Sequence, residues 1–301
     1  MTSFRVRVPA TIANAGPGFD TVGIAVNLYN TFTFKPSDRN TLENPLPEGI
    51  SAKPEENLVF RAMAHFYKAT GQTPFHTSLG MDVHIPMARG LGSSSSAIVA
   101  GLSAANLLHG NPLSKPQLLQ LATQLEGHPD NVAPALLGGV QFCDEETSPK
   151  KIETRLLPFP VDWRIAVVIP GYPVLTEEAR KALPEKPSMA DAIFNLRKTG
   201  LFVYALLSQN EAAFQRSLED RLHQPYRGKL IPEFSAVADA AQTAGALGTV
   251  ISGSGPTMAV FYHRGIEHGI TDALGSVARK HGTLSVQHVA LDLTGAIITT
   301  D

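Results

Sequence analysis

Residues 86–97 read Pro-Met-Ala-Arg-Gly-Leu-Gly-Ser-Ser-Ser-Ser-Ala, and this stretch decides how the first half of the chain is interpreted. The preceding segment, 77–85, has the composition of a β-strand, and the apolar residues that follow have helical spacing as far as Leu108. Glycines at 90 and 92 allow a tight turn between strand and helix. The first helical turn leaves backbone N–H groups unpaired, and the helix dipole adds partial positive charge there. The stretch therefore predicts a loop that binds phosphate.

The run Ser93, Ser94, Ser95 and Ser96 has a simpler interpretation as the N-cap of that helix. One serine would be enough to cap it, whereas four in succession exceed this need. The loop fits neither G-x-x-x-x-G-K-[ST] nor G-x-G-x-x-G, so the folds that carry those loops are disfavoured. Because no G-x-S-x-G elbow surrounds the serines, a serine hydrolase is also disfavoured.

The composition is that of a globular protein whose charges nearly balance, so no overall electrostatic field attracts anionic partners. Its 301 residues include 25 Lys plus Arg and 27 Asp plus Glu, for a formal net charge of −2. Any anionic ligand must therefore be held by local groups. The single cysteine, Cys143, excludes an internal disulfide framework and a cysteine-rich metal site. No signal pattern opens the sequence and no apolar run approaches the roughly 20 residues that span a bilayer. We therefore expect a cytoplasmic protein without nucleic-acid or membrane partners.

Three motifs resemble those of the GHMP kinase superfamily, which contains galactokinases, homoserine kinases, mevalonate kinases and phosphomevalonate kinases. The loop at 86–97 is similar to the superfamily's phosphate loop. Residues 10–20, Ala-Thr-Ile-Ala-Asn-Ala-Gly-Pro-Gly-Phe-Asp, resemble its substrate-side loop in the homoserine kinase form. Residues 252–257, Ser-Gly-Ser-Gly-Pro-Thr, resemble its third glycine-rich motif. Since the motifs occur in the superfamily's order across nearly the whole chain, we expect the chain to be a member.

The resemblance implies an α+β, two-domain GHMP kinase fold with the active site between the domains. The N-terminal domain, residues 1–160, is expected to bind the nucleotide and to resemble the second domain of ribosomal protein S5. The C-terminal domain, residues 161–301, is expected to be ferredoxin-like. Between residues 145 and 160 the chain becomes polar and contains prolines, so the residues themselves place the boundary near 158–161.

The activity implied by the resemblance is ATP-dependent phosphorylation of the L-homoserine hydroxyl to O-phospho-L-homoserine, a step of threonine biosynthesis. Its cofactors would be ATP and Mg²⁺, and its partners the small molecules L-homoserine and ATP; a homodimer is compatible with the resemblance. A mevalonate-type kinase and a nucleotide-binding regulator without catalysis are the alternatives. Two matching arginines and Asn131 count against the former, and the retained metal and substrate groups count against the latter.

The ATP site implied by the resemblance consists of the phosphate loop and one residue near the adenine. Its expected members are Asn57, Pro86, Met87, Ala88, Arg89, Gly90, Leu91, Gly92, Ser93, Ser94, Ser95 and Ser96. Mg²⁺ takes hard oxygen ligands, and the resemblance assigns them to Ser94 and Glu126. An alignment without gaps selects Gln120 in place of Glu126, and the sequence leaves both alternatives open.

Homoserine is a zwitterion, so its site must supply cations for the carboxylate and acceptors for the ammonium group. Arg180 and Arg227 match arginines of homoserine kinases, and a planar guanidinium suits a carboxylate. Asn14 and Asp20 match the positions that hold the amino group and the hydroxyl end, and His128 is expected in the same pocket. Without the resemblance, each arginine would be interpreted as an exposed surface residue.

Residues 126–134, Glu-Gly-His-Pro-Asp-Asn-Val-Ala-Pro, bear on the mechanism. Asn131 stands where mevalonate kinases carry a catalytic aspartate, and an amide cannot act as a general base at neutral pH. The catalytic residues expected from the resemblance are therefore Asn131, Arg180 and Glu126, which would act by positioning and charge stabilisation while the hydroxyl proton passes to the phosphate. Asp130 could be a base, but the residue pattern favours a turn former.

Overall fold

The computed structural model describes residues 2–147, 150–282 and 284–300, which form two β-sheets flanked by helices. The strands are β1 (Phe4–Ala13), β2 (Val22–Pro36), β3 (Thr41–Leu42), β4 (Thr77–Val83), β5 (Val140–Thr147), β6 (Lys150–Leu157), β7 (Trp163–Pro170), β8 (Gly248–Ile251), β9 (Met258–His263), β10 (Leu284–Val289) and β11 (Ile297–Thr300). The helices are α1 (Leu58–Thr70), α2 (Ser93–Leu108), α3 (Lys115–Glu126), α4 (Pro129–Leu137), α5 (Thr176–Lys181), α6 (Met189–Ser208), α7 (Glu211–Ser217), α8 (Gln224–Arg227), α9 (Phe234–Thr243) and α10 (Glu267–His281). None of the helices in these ranges is both long and apolar enough to cross a membrane.

The first sheet has seven strands in the order β11-β1-β2-β4-β3, with β5 joined to β2 and β6 joined to β5. Helices α1 to α4 share a buried cluster with it, which contains Phe32 and Phe34 of β2, Phe66 of α1 and Leu102 of α2. Helix α1 begins at an N-cap, Asn57, whose Oδ1 accepts a hydrogen bond from the Val59 N–H at 2.9 Å. Packing of α2 on this sheet places the phosphate loop at one end of the cluster.

The second sheet has four antiparallel strands in the order β10-β7-β9-β8. Alternate residues of β7 enter different buried clusters, because successive side chains of a strand point to opposite faces. Val168 packs with the α9 and α10 residues, whereas Val167 joins a cluster that holds Phe202 of α6 and Phe214 of α7. The cluster that holds Phe202 and Phe214 also contains Ile12 of β1, so the two sheets share a continuous core.

Of two further sequence patterns, the structure confirms one and differs from the other. The aromatic and β-branched residues of 19–34 are typical of paired strands, and β2, which runs from Val22 to Pro36, pairs with β1. Glycine and proline within 126–131 are typical of an irregular loop, but helix α4 begins there at Pro129. Proline suits the first helical position because its φ is already helical and the first N–H of a helix has no intrahelical partner.

The polar stretch 145–160 includes part of the hairpin of β5 and β6, which lies at the edge of the first sheet, and the expected boundary at 158–161 follows that hairpin. Edge strands expose many side chains, so their composition can resemble that of a linker. The first sheet's β6 ends at Leu157 and the second sheet's β7 begins at Trp163. Strand β11 returns to the first sheet and pairs with β1, so residues 297–300 lie outside the second sheet. The division at residues 160 and 161 stays a prediction.

Strand β2 and helix α4 approach each other closely at Gly23. A Cβ atom there would lie 1.7 Å from the carbonyl oxygen of Asp130 and 2.7 Å from Cγ of Pro134. Only glycine allows the backbone of the helix to pack this close to the strand. The contact fixes the height of the first turn of α4, which carries Asp130 and Asn131.

Replacement of Gly23 by alanine is expected to lower the free energy of unfolding by about 1–3 kcal/mol, because backbone atoms must move to admit the methyl group. Gly200→Ala is the matched control: it lies in α6 with open space around it, and alanine there should stabilise by about 0.4–1 kcal/mol. Urea denaturation measures both variants. Equal unfolding free energies for Gly23→Ala and the wild type would show that α4 can shift without cost.

Candidate active site

A cleft of about 360 Å³ is lined by residues of both sheets' loops and helices. The sequence-predicted residues that line it are Asn14, Asp20, Asn57, Pro86, Met87, Ala88, Arg89, Gly90, Leu91, Gly92, Ser93, Ser94, Glu126, His128, Asn131, Arg180 and Arg227. Ser95 and Ser96 are buried and do not line it. Residues far apart in the sequence thus surround one cavity.

The hydroxyls of Ser95 and Ser96 are used inside the protein. Ser95 Oγ donates to Oε1 of Glu126 at 2.8 Å. Ser96 Oγ donates to the Ser93 carbonyl oxygen at 2.7 Å and accepts from Nδ2 of Asn30 at 2.9 Å. These bonds tie the start of α2 to α3 and β2, so the prediction that these two serines bind ATP can apply only to their backbone groups.

Gly92, the N-cap of α2, adopts a left-handed conformation with φ of +71°. A Cβ atom there would lie 2.0 Å from Oγ1 of Thr11, which donates to Oδ1 of Asn131 at 2.7 Å. The Thr11 N–H also donates to the Leu91 carbonyl oxygen at 3.1 Å. Glycine is therefore required by the protein's own packing, and a side chain at this position would displace the Thr11–Asn131 contact even without a ligand.

The glycine-rich motif at 252–257 connects the two loops of the cleft. Ser252 Oγ donates to the Gly90 carbonyl oxygen at 2.6 Å. The Gly253 N–H donates to the Ala13 carbonyl oxygen at 2.9 Å, and the Gly253 carbonyl oxygen accepts from Nδ2 of Asn14 at 3.1 Å. The motif therefore sets the distance between the phosphate loop and the substrate-side loop.

Arg89 lies in the phosphate loop, but its guanidinium is bound to backbone carbonyls. Nε donates to the Pro170 oxygen at 3.0 Å, Nη1 to the Met87 oxygen at 3.1 Å and Nη2 to the Gly171 oxygen at 2.8 Å. Three backbone acceptors hold the side chain in place at the end of β7. Arg89 thus anchors the loop to the second sheet.

Ser94 and Glu126 lie side by side, as a shared metal site would require. Ser94 Oγ donates to Oε1 of Glu126 at 3.1 Å. Gly127, with φ of +92°, ends α3 just after this glutamate. The alternative, Gln120, does not line the cleft: its amide donates to the Ile152 carbonyl oxygen at 2.7 Å and accepts from the Ile152 N–H at 2.9 Å. A hydroxyl and a carboxylate are hard oxygen donors and suit Mg²⁺.

Two arginines form the cationic end of the cleft. Arg180 of α5 pairs with Asp20, with Nη2 3.0 Å from Oδ1. Arg227 is only 2% exposed; Nη1 donates to the Gly253 carbonyl oxygen at 2.8 Å, and Nε has no partner among the described residues. Burial, followed by the nearby charge of Arg180, lowers the pKa of Arg227 to about 10. Arg227 remains protonated at neutral pH, so an anionic group would relieve its desolvation.

Asn14 and Asp20 bracket the substrate-side loop, and both have positive φ, 58° and 55°. Oδ1 of Asn14 accepts the Asp20 N–H at 2.8 Å, which closes the loop on itself. The Asn14 amide is thereby bound on both sides within the protein, since its Nδ2 contacts Gly253. Its observed contacts hold Asp20 toward the cleft, and its direct contact with a substrate stays a prediction.

His128 is oriented by Asp130, which is fully buried in the first turn of α4. Nδ1 of His128 lies 2.6 Å from Oδ1 of Asp130. Burial alone would lower the pKa of His128, but the hydrogen bond and charge of Asp130, with those of Glu126 and Asp20, raise it above its usual value. The interpretation of Asp130 as a turn former is wrong, because the residue is helical and its carboxylate faces a histidine. The signal missed was an acid next to a proline at a helix start.

Part of the cleft lining is apolar, and it was not found from the sequence. Its side chains come from β2, the loop before α1, α1 itself and β4, and they are Phe32, Ile50, Leu58, Met81 and Val83. A flat, largely apolar group such as a purine base would suit this surface. Asn57, the residue expected near the adenine, lies here but is engaged in capping α1, with Nδ2 3.6 Å from Sδ of Met81. In the sequence these apolar residues are indistinguishable from core residues.

Comparisons with known proteins agree with this geometry. Residues 57–139 match the family model described as "GHMP kinases N terminal domain", and residues 202–279 match "GHMP kinases C terminal". A homoserine kinase of Nostoc punctiforme is 42% identical over 301 residues, with 98% of each chain covered. A homoserine kinase of a Synechococcus species is 48% identical over 258 residues, with 84% of each chain covered.

Solved structures give the same result. The crystal structure of homoserine kinase from Cytophaga hutchinsonii superposes with a TM-score of 0.88 at 29% identity, covering 99% of this chain and 98% of that one. A mevalonate kinase structure superposes with a TM-score of 0.69 at 13% identity, which shows likeness of fold alone. The predicted two-domain GHMP kinase fold is confirmed. The chain belongs to the GHMP kinase family, in its homoserine kinase branch.

Proposed function

We propose that this protein transfers the terminal phosphoryl group of ATP to the hydroxyl of L-homoserine, forming O-phospho-L-homoserine for threonine biosynthesis. The observation that carries the proposal is one cleft with a helix N-terminus beside a hard-oxygen pair and, in the same cavity, a buried arginine without a carboxylate partner. The first feature suits a nucleotide's phosphates and the second an amino acid's carboxylate. The names of the relatives at 42% and 48% identity support the same substrate.

The ATP half of the site is proposed to run from the apolar end to the start of α2. The base would lie against Phe32 and Met81, and the phosphates would accept hydrogen bonds from backbone N–H groups of residues 90–94. Ser94 and Glu126 would hold Mg²⁺. When bound there, the ion would neutralise charge on the transferring phosphoryl group and its leaving group.

The substrate half would exchange one internal ion pair for two ion pairs to the zwitterion. Asp20 and Arg180 bind each other in this structure, and both line the cleft. The homoserine carboxylate would take Arg180 together with Arg227, and its ammonium group would take Asp20. Because the exchange leaves no charge unpaired, a zwitterion fits better than a simple alcohol does.

The proton of the hydroxyl is proposed to pass to the phosphoryl group itself. The carboxylates among the described cleft-lining residues are Asp20, paired with Arg180, and Glu126, bound to two serine hydroxyls. Asn131 offers an amide, which is not a base at neutral pH, and Nδ1 of His128 is held by the carboxylate of Asp130 at 2.6 Å. These groups position and stabilise charge, and a loose phosphoryl-transfer transition state accepts such a scheme.

The two alternative functions lose support for different reasons. A mevalonate-type kinase would also bind a carboxylate at the arginines, but its substrate has no ammonium group to pair with Asp20, and the likeness to mevalonate kinase is one of fold alone. A regulator without catalysis would not need the metal pair Ser94 and Glu126, which the fold brings within hydrogen-bond distance. An assay of ADP release over a panel of alcohols including L-homoserine tests the activity directly.

Replacement of Glu126 by glutamine keeps its shape and removes its charge, so the Mg²⁺ concentration for half-maximal rate should rise by about tenfold or more. Titration of Mg²⁺ at saturating ATP measures it. Gln120→Ala is the control: its contacts with Ile152 predict a loss of stability without a change in the Mg²⁺ requirement. The opposite ranking of the two variants would remove Glu126 from the metal site.

Arg180→Ala and Arg227→Ala should each cost about 2–4 kcal/mol of transition-state stabilisation for L-homoserine, or about 30- to 900-fold in kcat/KM. For 3-aminobutan-1-ol, in which a methyl group replaces the carboxylate, both variants should resemble the wild type. Arg180→Lys should restore little, because a point charge lacks the bidentate fork. If both variants keep the wild-type ratio of kcat/KM between L-homoserine and 3-aminobutan-1-ol, the substrate's carboxylate does not bind at this end of the cleft.

Asn131→Asp should lower turnover, because a new negative charge would face the polyphosphate and Thr11 would keep an acceptor either way. Single-turnover rates at saturating substrates report the chemical step. A faster chemical step in the variant would mean that deprotonation of the hydroxyl limits the reaction.

A further inference from the structure

We infer that Phe19 is a positioning residue for the reaction: the face of its ring holds Arg180 and Arg227 together so that both can receive the substrate's carboxylate. The inference rests on the proposed function. Cζ of Arg180 lies 5.8 Å from the ring centroid and Cζ of Arg227 lies 5.1 Å from it. Both distances fall within the range in which a guanidinium is attracted to an aromatic face. Phe19 does not line the cleft, so it would act through the arginines.

The electrostatic problem that the ring solves is the proximity of two like charges. Arg180 and Arg227 lie close enough for the charge of the first to lower the pKa of the second. A second carboxylate would relieve this repulsion but would also compete with the substrate for the arginines. An aromatic face attracts cations and carries no net charge. It can therefore stabilise the pair while leaving their positive charge available to an anion.

The ring is itself held in place, as a positioning role requires. It stacks on the imidazole of His223, with ring centroids 5.5 Å apart and planes 25° from parallel. His223 is fully buried, and its Nε2 lies 2.7 Å from the carbonyl oxygen of Gly16 in the same loop. Thr199 of α6 donates to the Pro17 carbonyl oxygen at 3.0 Å. Because Gly16 and Pro17 are both anchored and the ring stacks on His223, the ring has little freedom to leave the arginines.

The contact also links two elements that are distant in the sequence. Arg180 belongs to α5 and Arg227 to α8, and the substrate-side loop that carries Phe19 also carries Asp20, the ion-pair partner of Arg180. Phe19 thus fixes the distance between the two guanidinium groups. The ion pair between Asp20 and Arg180, in contrast, can be replaced by ion pairs to the substrate. The expected consequence is selectivity for alcohols that carry a carboxylate, with no effect on the ATP half of the cleft.

The experiment varies the ring's electrostatics at constant shape. Phe19 is replaced site-specifically by 3,4,5-trifluorophenylalanine, which weakens the negative face of the ring, and separately by leucine, which removes it. For L-homoserine, kcat/KM should fall about 5- to 30-fold in Phe19→Leu and by a smaller factor in the fluorinated protein, mainly through KM. The KM for ATP and kcat/KM for 3-aminobutan-1-ol should stay within about twofold of wild type.

Phe194→Leu provides a matched control. Phe194 also lies under guanidinium and ammonium groups, 4.0 Å from Cζ of Arg221 and 5.1 Å from Nζ of Lys198, but it does not line the cleft. This variant should keep wild-type kinetics for both alcohols. In an Arg227→Ala background, Phe19→Leu should cost less than it does alone, because one of the two contacts is already gone.

Several results would overturn the inference. Unchanged kcat/KM for L-homoserine in the fluorinated protein would exclude a role for the ring's electrostatics, even if Phe19→Leu failed to fold. Equal losses for L-homoserine and 3-aminobutan-1-ol, or additive losses with Arg227→Ala, would indicate general disruption of the loop. Failure of the proposed function is separate, since it would appear as a wild-type protein that does not phosphorylate L-homoserine.

Discussion

The hydrogen bonds that residues 252–257 make to two distant loops are the constraint on which the active site depends. Ser252 binds the carbonyl of Gly90, and Gly253 binds both Ala13 and Asn14. A Cβ atom at Gly90 would lie 2.2 Å from the Ser252 carbonyl oxygen, so only glycine fits at this position. The distance between the phosphate loop and the substrate-side loop is therefore set by backbone contacts. Binding groups placed on such rigid supports can act by positioning alone.

We propose that each end of the cleft attracts a different anion. At the nucleotide end, backbone N–H groups and a site for Mg²⁺ are proposed to receive the phosphates. At the other end, Arg227 is buried with one N–H that has no partner in the described part of the chain, and Arg180 has a partner, Asp20, that a zwitterion could replace. Both arginines meet the ring of Phe19, which adds attraction without adding negative charge. Discrimination would then come from burial of charge, because a ligand without a carboxylate leaves the desolvated guanidinium unpaired.

Much of the fold could be predicted because local patterns and structure agree. The helix that follows the phosphate loop ends at Leu108, as its apolar spacing predicts. The pattern failed where an element started with proline, since α4 was missed at Pro129. Pairing of β11 with β1 joins the two ends of the chain, and no local pattern reports such a contact.

The sequence by itself determined the family, the phosphate loop and the types of residue that the site needs, because these depend on local backbone chemistry and on motifs read in order. Only the tertiary structure decided which side chains face the cleft and which are used elsewhere. Glu126 accepts a hydrogen bond from Ser94, whereas Gln120 is bound to Ile152. Asp130 orients His128 and does not form a turn. Phe19 carries no recognisable signal until Arg180 and Arg227 lie against it. The physical reason is that burial, partner choice and pKa arise from packing between distant segments, which a linear pattern does not contain.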